Sequence, residues 1–203
     1  MKLTHMALCA AASLLLGGCM SSLELAVRGC NDENKSVKAR GDRCFRAGQI
    51  YHVEEPVDAQ GSRIDNDLAL AAAYYLRGCK LNNAKACNNF AVLLNEGVPG
   101  PNGIEPNPRM AFDFFNRACE MDDGQPAGCA NVGELYLEGR GVQRDYAKAR
   151  PYLEVGCEYE VAEACRLLGR LYRDGLGVGR NEITARTYDE WACYFGDDEA
   201  CQQ

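Results

Sequence analysis

One pattern of apolar positions recurs along the chain. Counted from the cysteines at 44, 87, 129 and 165, apolar or small residues fall at 0, +3, +4 and +7, which is one face of an α-helix. The clearest copies run Cys129-Ala-Asn-Val-Gly-Glu-Leu-Tyr and Cys165-Arg-Leu-Leu-Gly-Arg-Leu-Tyr; those from Cys87 and Cys44 are weaker. A glycine at +10, Gly139 or Gly175, predicts a helix stop in the left-handed region. A second helix leads up to each of the cysteines at 79, 119, 157 and 193. Alanine stands eight residues before them (Ala71, Ala111, Ala149, Ala185) and an aromatic five before (Tyr74, Phe114, Tyr152, Tyr188). Asn107-Pro108, Asp145 and Asn181-Glu182 supply helix starts, and proline suits the first helical position.

Each unit therefore reads as helix A, glycine turn, helix B. The fold class is all-α: an α/α solenoid of helix-turn-helix repeats. A partial N-terminal cap covers residues 23–43, and the repeats lie at about 44–79, 87–119, 129–157 and 165–193, with a C-terminal capping segment over 194–203. The link from +7 to the helix-B alanine takes 13 residues in the last two units, 17 in the second and 20 in the first. The stretches around Pro99 to Gly103 and Glu54 to Asn66 are thus insertions. Pro151, inside helix B of the third unit, predicts a kink or a late start.

The first residues change the picture of the cysteines. Lys2 precedes a short apolar run, Met6 to Leu16, too short to span a bilayer and suited to a secretion signal over residues 1–18. The run ends in Leu16-Gly17-Gly18-Cys19, which resembles the lipobox of bacterial lipoproteins. That resemblance implies acylation of Cys19 and, with Met20 following, a periplasmic domain anchored to the outer membrane. An ordinary signal peptide would leave Cys19 over. Of the 12 cysteines, ten remain once Cys9 and Cys19 are set aside, an even number that suits a disulfide framework in an oxidising compartment. Losing Lys2 with the leader takes the formal charge from -7 to -8, which argues against nucleic-acid partners.

Those ten fall in pairs: 79/87, 157/165 and 193/201 are eight apart, 119/129 ten and 30/44 fourteen. With the helical repeat, this pattern resembles Sel1-like repeats, relatives of the tetratricopeptide repeat, and within them the Helicobacter cysteine-rich protein family. The resemblance covers roughly residues 23 to 203 and is strongest in the third and fourth units. Five local disulfides follow as expectations: Cys30–Cys44, Cys79–Cys87, Cys119–Cys129, Cys157–Cys165 and Cys193–Cys201. A bridge closing about nine residues contributes roughly 2.5 kcal/mol in the chain-entropy account.

Motifs for chemistry are sparse. No Cys-x-x-Cys occurs and His52 is the sole histidine after the leader, so neither a metal site, a redox dithiol nor a covalent haem site is expected, and no cofactor. His52 reads as a wet turn residue. Asp122-Asp123 and Asp197-Asp198 read as solvated loop carboxylates. No Ser-x-x-Lys or Lys-Thr-Gly is present, yet the resembling family implies penicillin binding and weak β-lactamase activity. That activity stands as the alternative to a binding scaffold.

In related repeats helix A lines the concave side. Positions +1, +5, +8 and +9 should then face away from the core: Phe45, Gln49, His52 and Val53; Asn88, Val92, Asn95 and Glu96; Ala130, Glu134, Leu137 and Glu138; Arg166, Arg170, Arg173 and Asp174. Arg166, Arg170 and Arg173 form an exposed stripe by spacing. It reads either as a carboxylate clamp or as a solvated face paired with Glu134 and Glu138. The expected function is a monomeric interaction scaffold. It would hold a peptide, a protein segment or a peptidoglycan-derived fragment against Arg166, Arg170, Arg173, Asn88, Asn95 and Glu134.

Overall fold

The structure is a computed structural model that describes residues 22–52, 67–100, 103–122 and 124–202. These residues form nine α-helices: α1 (Ser22–Asn31), α2 (Val37–His52), α3 (Leu68–Lys80), α4 (Ala84–Glu96), α5 (Pro108–Glu120), α6 (Pro126–Glu138), α7 (Tyr146–Glu158), α8 (Ala162–Asp174) and α9 (Glu182–Tyr194). A single 3-10 turn, Ala200–Gln202, follows. Helices α2, α4, α6 and α8 are the A helices and α3, α5, α7 and α9 the B helices; α1 is a lone B helix that caps the first unit.

Local chemistry sets the ends. Asp67, Asn83, Asn107, Asp145 and Asn181 each accept a backbone N–H from the first turn of the helix they precede. Gly139 and Gly175 end α6 and α8 at φ 72° and 68°, backbone that glycine adopts without steric penalty. Helix α7 begins at Tyr146 on its Asp145 cap, so Pro151 lies inside it, on an exposed face, and does not mark a late start. The insertion of the second unit is pinned by an isolated antiparallel bridge between Val98 and Ile104. The insertion at Glu54 to Asn66 lies outside the described residues, as do Val53 and Asp123.

Two side-chain pairings hold the two helices of each hairpin together. The helix-A residue at +4 is small, and the helix-B residue four before the cysteine lies over it. Gly48 takes the ring of Tyr75 and Gly133 takes Leu153; a Cβ on Gly133 would sit 2.6 Å from Leu153 Cγ. The residue at +7 meets the aromatic at -5: Tyr51 stacks on Tyr74 with centroids 5.7 Å apart, Tyr136 on Tyr152 at 6.0 Å and Tyr172 on Tyr188 at 5.7 Å. The second unit has Leu94 at +7, so Phe114 instead meets Phe90 edge-on at 4.8 Å. Each such aromatic pair contributes roughly 0.5–1.5 kcal/mol beyond its burial.

Between units the helices are stapled. Five disulfides join Cys30 to Cys44, Cys79 to Cys87, Cys119 to Cys129, Cys157 to Cys165 and Cys193 to Cys201, with Cα–Cα distances of 4.5 to 4.8 Å. Each helix packs on the next in the chain, and α2 also reaches α4 while α6 reaches α8. Among the described residues no two successive B helices pack to the same extent. The A helices therefore lie closer to one another than the B helices do, on the inner side of the array, and the molecule is a disulfide-stapled α/α solenoid.

Candidate interaction surface on the inner helices

The inner face is built by side chains one and two positions after the helix-A cysteines, and by those a turn or two further on. Asn88 stands at +1 on α4, where solvent exposure was expected. It is only 7% exposed, a correction with a clear cause: Asn131 of α6 covers it. Asn131 Nδ2 donates to Asn88 Oδ1 at 3.0 Å, and Asn88 Nδ2 donates to Asn89 Oδ1 at 3.4 Å. Asn89 in turn stands beside the buried hydroxyl of Tyr75; burial pushes that hydroxyl's pKa up, and Asn89 pulls it back. Tyr75 and His52 Nδ1 share a further hydrogen bond of 3.3 Å. A row of polar side chains thus crosses α2, α3, α4 and α6. His52 is half-buried within it and is no wet turn residue.

Further along the face the groups are charged. Arg140 donates to the backbone oxygen of Asn95 at 3.3 Å and to its Oδ1 at 3.1 Å, and pairs with Glu138 at 3.4 Å. Glu134 is half-buried between these and the next unit. Burial, first, and the neighbouring Glu138 and Glu163 raise its pKa, while Arg140 and Arg166 partly offset them. Ala130 and Leu137, also expected to face out, are buried in the core.

The arginine stripe is corrected in part. Arg170 is exposed, but Arg166 and Arg173 are half-buried and engaged. Arg166 pairs with Glu163 of its own helix, with Asp197 at 2.8 Å and with Glu199 at 3.6 Å; Glu163 first and then Asp197 raise its pKa and hold it charged. Arg173 pairs with Asp189 of α9. Neither arginine pairs with Glu134 or Glu138; the carboxylates that take them belong to its own unit and the C-terminal segment. Asp189, 6% exposed, occupies the position that Tyr75, Phe115 and Leu153 fill in the other units. Sequence reasoning passed over it, although a lone acid at an otherwise apolar repeat position was the available signal. Asp197 was read as a solvated loop carboxylate, yet its Oδ1 accepts from the backbone N–H of Glu199 and of Ala200, as a helix cap does.

Among the described residues no group of three His, Cys, Asp or Glu side chains is placed to hold a metal ion, and no helix is long and apolar enough to cross a membrane.

An inner wall of polar and charged side chains on rigidly stapled helical hairpins defines a repeat solenoid of the interaction-scaffold class. The Sel1 repeat matches residues 59–83, 84–123, 126–158 and 162–188, more than half of the chain, and the protein belongs to that family. Among solved structures, it resembles a Sel1 repeat protein from Oxalobacter formigenes, with TM-score 0.65 and 24% identity over 79% of this chain and 59% of that one. It also resembles c5321, a protective antigen of uropathogenic Escherichia coli strains (TM-score 0.64, 25% identity, 88% of this chain and 38% of that one). Helicobacter pylori cysteine rich protein B is 30% identical over 65% of this chain and 90% of its own, with TM-score 0.50.

A curated relative, cytochrome c oxidase assembly factor 7 of Xenopus tropicalis, is 32% identical over 116 residues; the chain spans 46% of that protein's length. This relative overturns the expected location at a bacterial outer membrane, since it is an assembly factor of a frog. That expectation rested on the short resemblance at Leu16 to Met20; the paired cysteines report an oxidising compartment and do not say which one. Cys19 and residues 1–18 lie outside the described residues.

Proposed function

We propose that the protein is an interaction scaffold that holds a segment of a partner protein along the inner face of its A helices. The observation that carries this reading is the polar row from His52 through Tyr75, Asn89 and Asn88 to Asn131. Buried polar side chains are normally avoided unless they are satisfied. Here Tyr75 is satisfied by His52, and Asn88 by Asn89 and Asn131, along a row that spans three repeat units, which fixes their geometry ahead of any ligand and lowers the ordering cost of binding. Amide side chains carry one acceptor and two donors, so half-exposed Asn131 keeps capacity to pair with a peptide main chain. Asn95, Glu134 and Arg170 extend the face with groups suited to side-chain recognition. A protein ligand is favoured over a peptidoglycan-derived fragment, because the curated relative is named as an assembly factor for a protein complex.

Site-directed photo-crosslinking in cells tests this. A photoreactive residue at Asn131 or Val92, on the inner face, is expected to yield discrete protein adducts. The same residue at Lys148 or Arg150, exposed on helix α7, is expected to yield none of those adducts. Equal labelling from both sides, or adducts from α7 alone, would remove the inner face as the site.

A further inference from the structure

We infer that Arg166 anchors a carboxylate-binding site on α8, and that the chain's own C-terminal segment, residues 197–202, is its resident occupant. The ligand class is an acidic segment of a partner protein presenting two carboxylates close together in sequence. The inference rests on the inner-face reading above and deepens it.

Four observations carry it. First, Arg166 receives two carboxylates from outside its own helix, Asp197 at 2.8 Å and Glu199 at 3.6 Å. These are the kind of groups a planar guanidinium recognises best. Second, the contact is peculiar to the last unit. The residues equivalent to Arg166 are Phe45, Asn88 and Ala130, and those equivalent to Asp197 are Asn83, Gln125 and Val161, so these two positions form no charge pair at the other junctions. Third, the segment is short, and it is held by the Cys193–Cys201 bridge, the capping bonds to Asp197 and one core side chain, Ala200, which is 5% exposed. Asp197 caps a turn only three residues long, the Glu199 side chain is 78% exposed, and Cys201 is exposed. By contrast, both cysteines are buried in Cys30–Cys44, Cys79–Cys87 and Cys157–Cys165. Fourth, Arg170 stands one turn along α8, exposed and with no ion-pair partner among the described residues. Residues four apart on a helix are neighbours, so Arg166 and Arg170 can share a ligand with two acids.

A tethered occupant competes at an effective concentration in the millimolar range, and a site that is only fractionally open shows an affinity reduced by that fraction. Opening the site should therefore strengthen binding without adding a contact.

The experiment uses the full chain and a fluorescein-labelled peptide of its own residues 196–203 with serine at the cysteine, read by anisotropy at low salt. Asp197→Asn with Glu199→Gln is expected to bind the peptide about tenfold tighter than the unaltered chain. Asparagine keeps the capping capacity, so the fold is retained. Adding Arg166→Gln to that background is expected to abolish the gain, and a peptide with Asn and Gln in place of its acids is expected not to bind. A second variant, Cys193→Ser with Cys201→Ser, removes the staple and leaves only Ala200 and the Asp197 cap to hold the segment, without touching either charge, and should show the same direction of change. Unchanged affinity in both variants, or equal binding of the uncharged peptide, would make the segment a structural cap and overturn the inference. Crosslinks from Asn131 that persist alongside such a result would leave the inner-face reading standing, so the two failures are distinguishable.

Discussion

At the scale of single residues, the periodicity of a helix says which way a side chain leaves its own axis and nothing about what covers it there. Asn88 and Arg166 share the +1 position and the same outward direction. One is buried under Asn131, and the other is clamped by Asp197. Glu134 illustrates how such surroundings act on a charge. Its pKa is raised above the ordinary 4.5 by burial and then by Glu138 and Glu163. A carboxyl whose folded pKa is raised binds protons more readily in the folded state than in the unfolded one, so stability falls as pH rises through that window. At neutral pH the ionised Glu134 therefore works against folding. Glu134→Gln is expected to melt at a higher temperature than the unaltered chain at pH 7. The gap should close as pH falls below the unfolded value of 4.5, where both side chains are neutral. Thermal melts of the two proteins across pH 3 to 8 check this, and a gap that widens on acidification would contradict it.

At the scale of elements, the helices follow from signals within about a dozen residues. Cap, apolar face and terminal glycine all lie within one helix length, which is why α5 to α9 were legible in the sequence. Asn107, Asp145 and Asn181 were recognisable as caps; Asn83 was not singled out, because it sits in the short loop between two bridged cysteines. It does two things there. Its Oδ1 accepts from Ala86 N at 2.8 Å and its Nδ2 donates to Asp42 Oδ1 of α2 at 2.9 Å. Asn83→Ala removes both, and a lost cap alone costs about 1 kcal/mol. The variant is expected to be destabilised by about 1–2 kcal/mol in urea unfolding, whereas Asn83→Ser, which keeps a capping oxygen and loses only the bond to Asp42, should lose less. Helix α7 shows the limit of local rules: Pro151 forfeits a backbone donor inside the helix, yet Tyr152, paired with Tyr136, and the buried Leu153, the two residues that follow it, hold the helix to α6.

At the scale of the whole molecule, each unit touches mainly its neighbours, so stability is a sum of unit and junction contributions. A disulfide at a junction acts where the sum is most vulnerable. Cys157–Cys165 is wholly buried between α7 and α8. Replacing both residues by alanine is expected to lower stability by about 2–3 kcal/mol, from loop closure and lost packing together. Amide exchange should rise first in α7 to α9, with α2 to α4 less affected. Uniform loss of protection along the chain would mean that the units do not behave as a linear array.

What the sequence by itself determined is everything that depends on short separations. The helical pattern repeats every turn, caps lie beside the helices they start, and bridged cysteines stand eight to fourteen residues apart. These features fixed the hairpin unit, the staple positions and the solenoid class. The pairings between units were decided only by the tertiary structure. Asn131 meets Asn88 across 43 residues, Arg140 meets Asn95 across 45, and Arg166 meets Asp197 across 31. Each partner was visible in the chain, but the rise and rotation from one unit to the next set which polar groups come within hydrogen-bond reach. That geometry comes from how side chains of different size pack between neighbouring helices. It converted an arginine stripe drawn from spacing into one exposed arginine beside two that the protein already occupies.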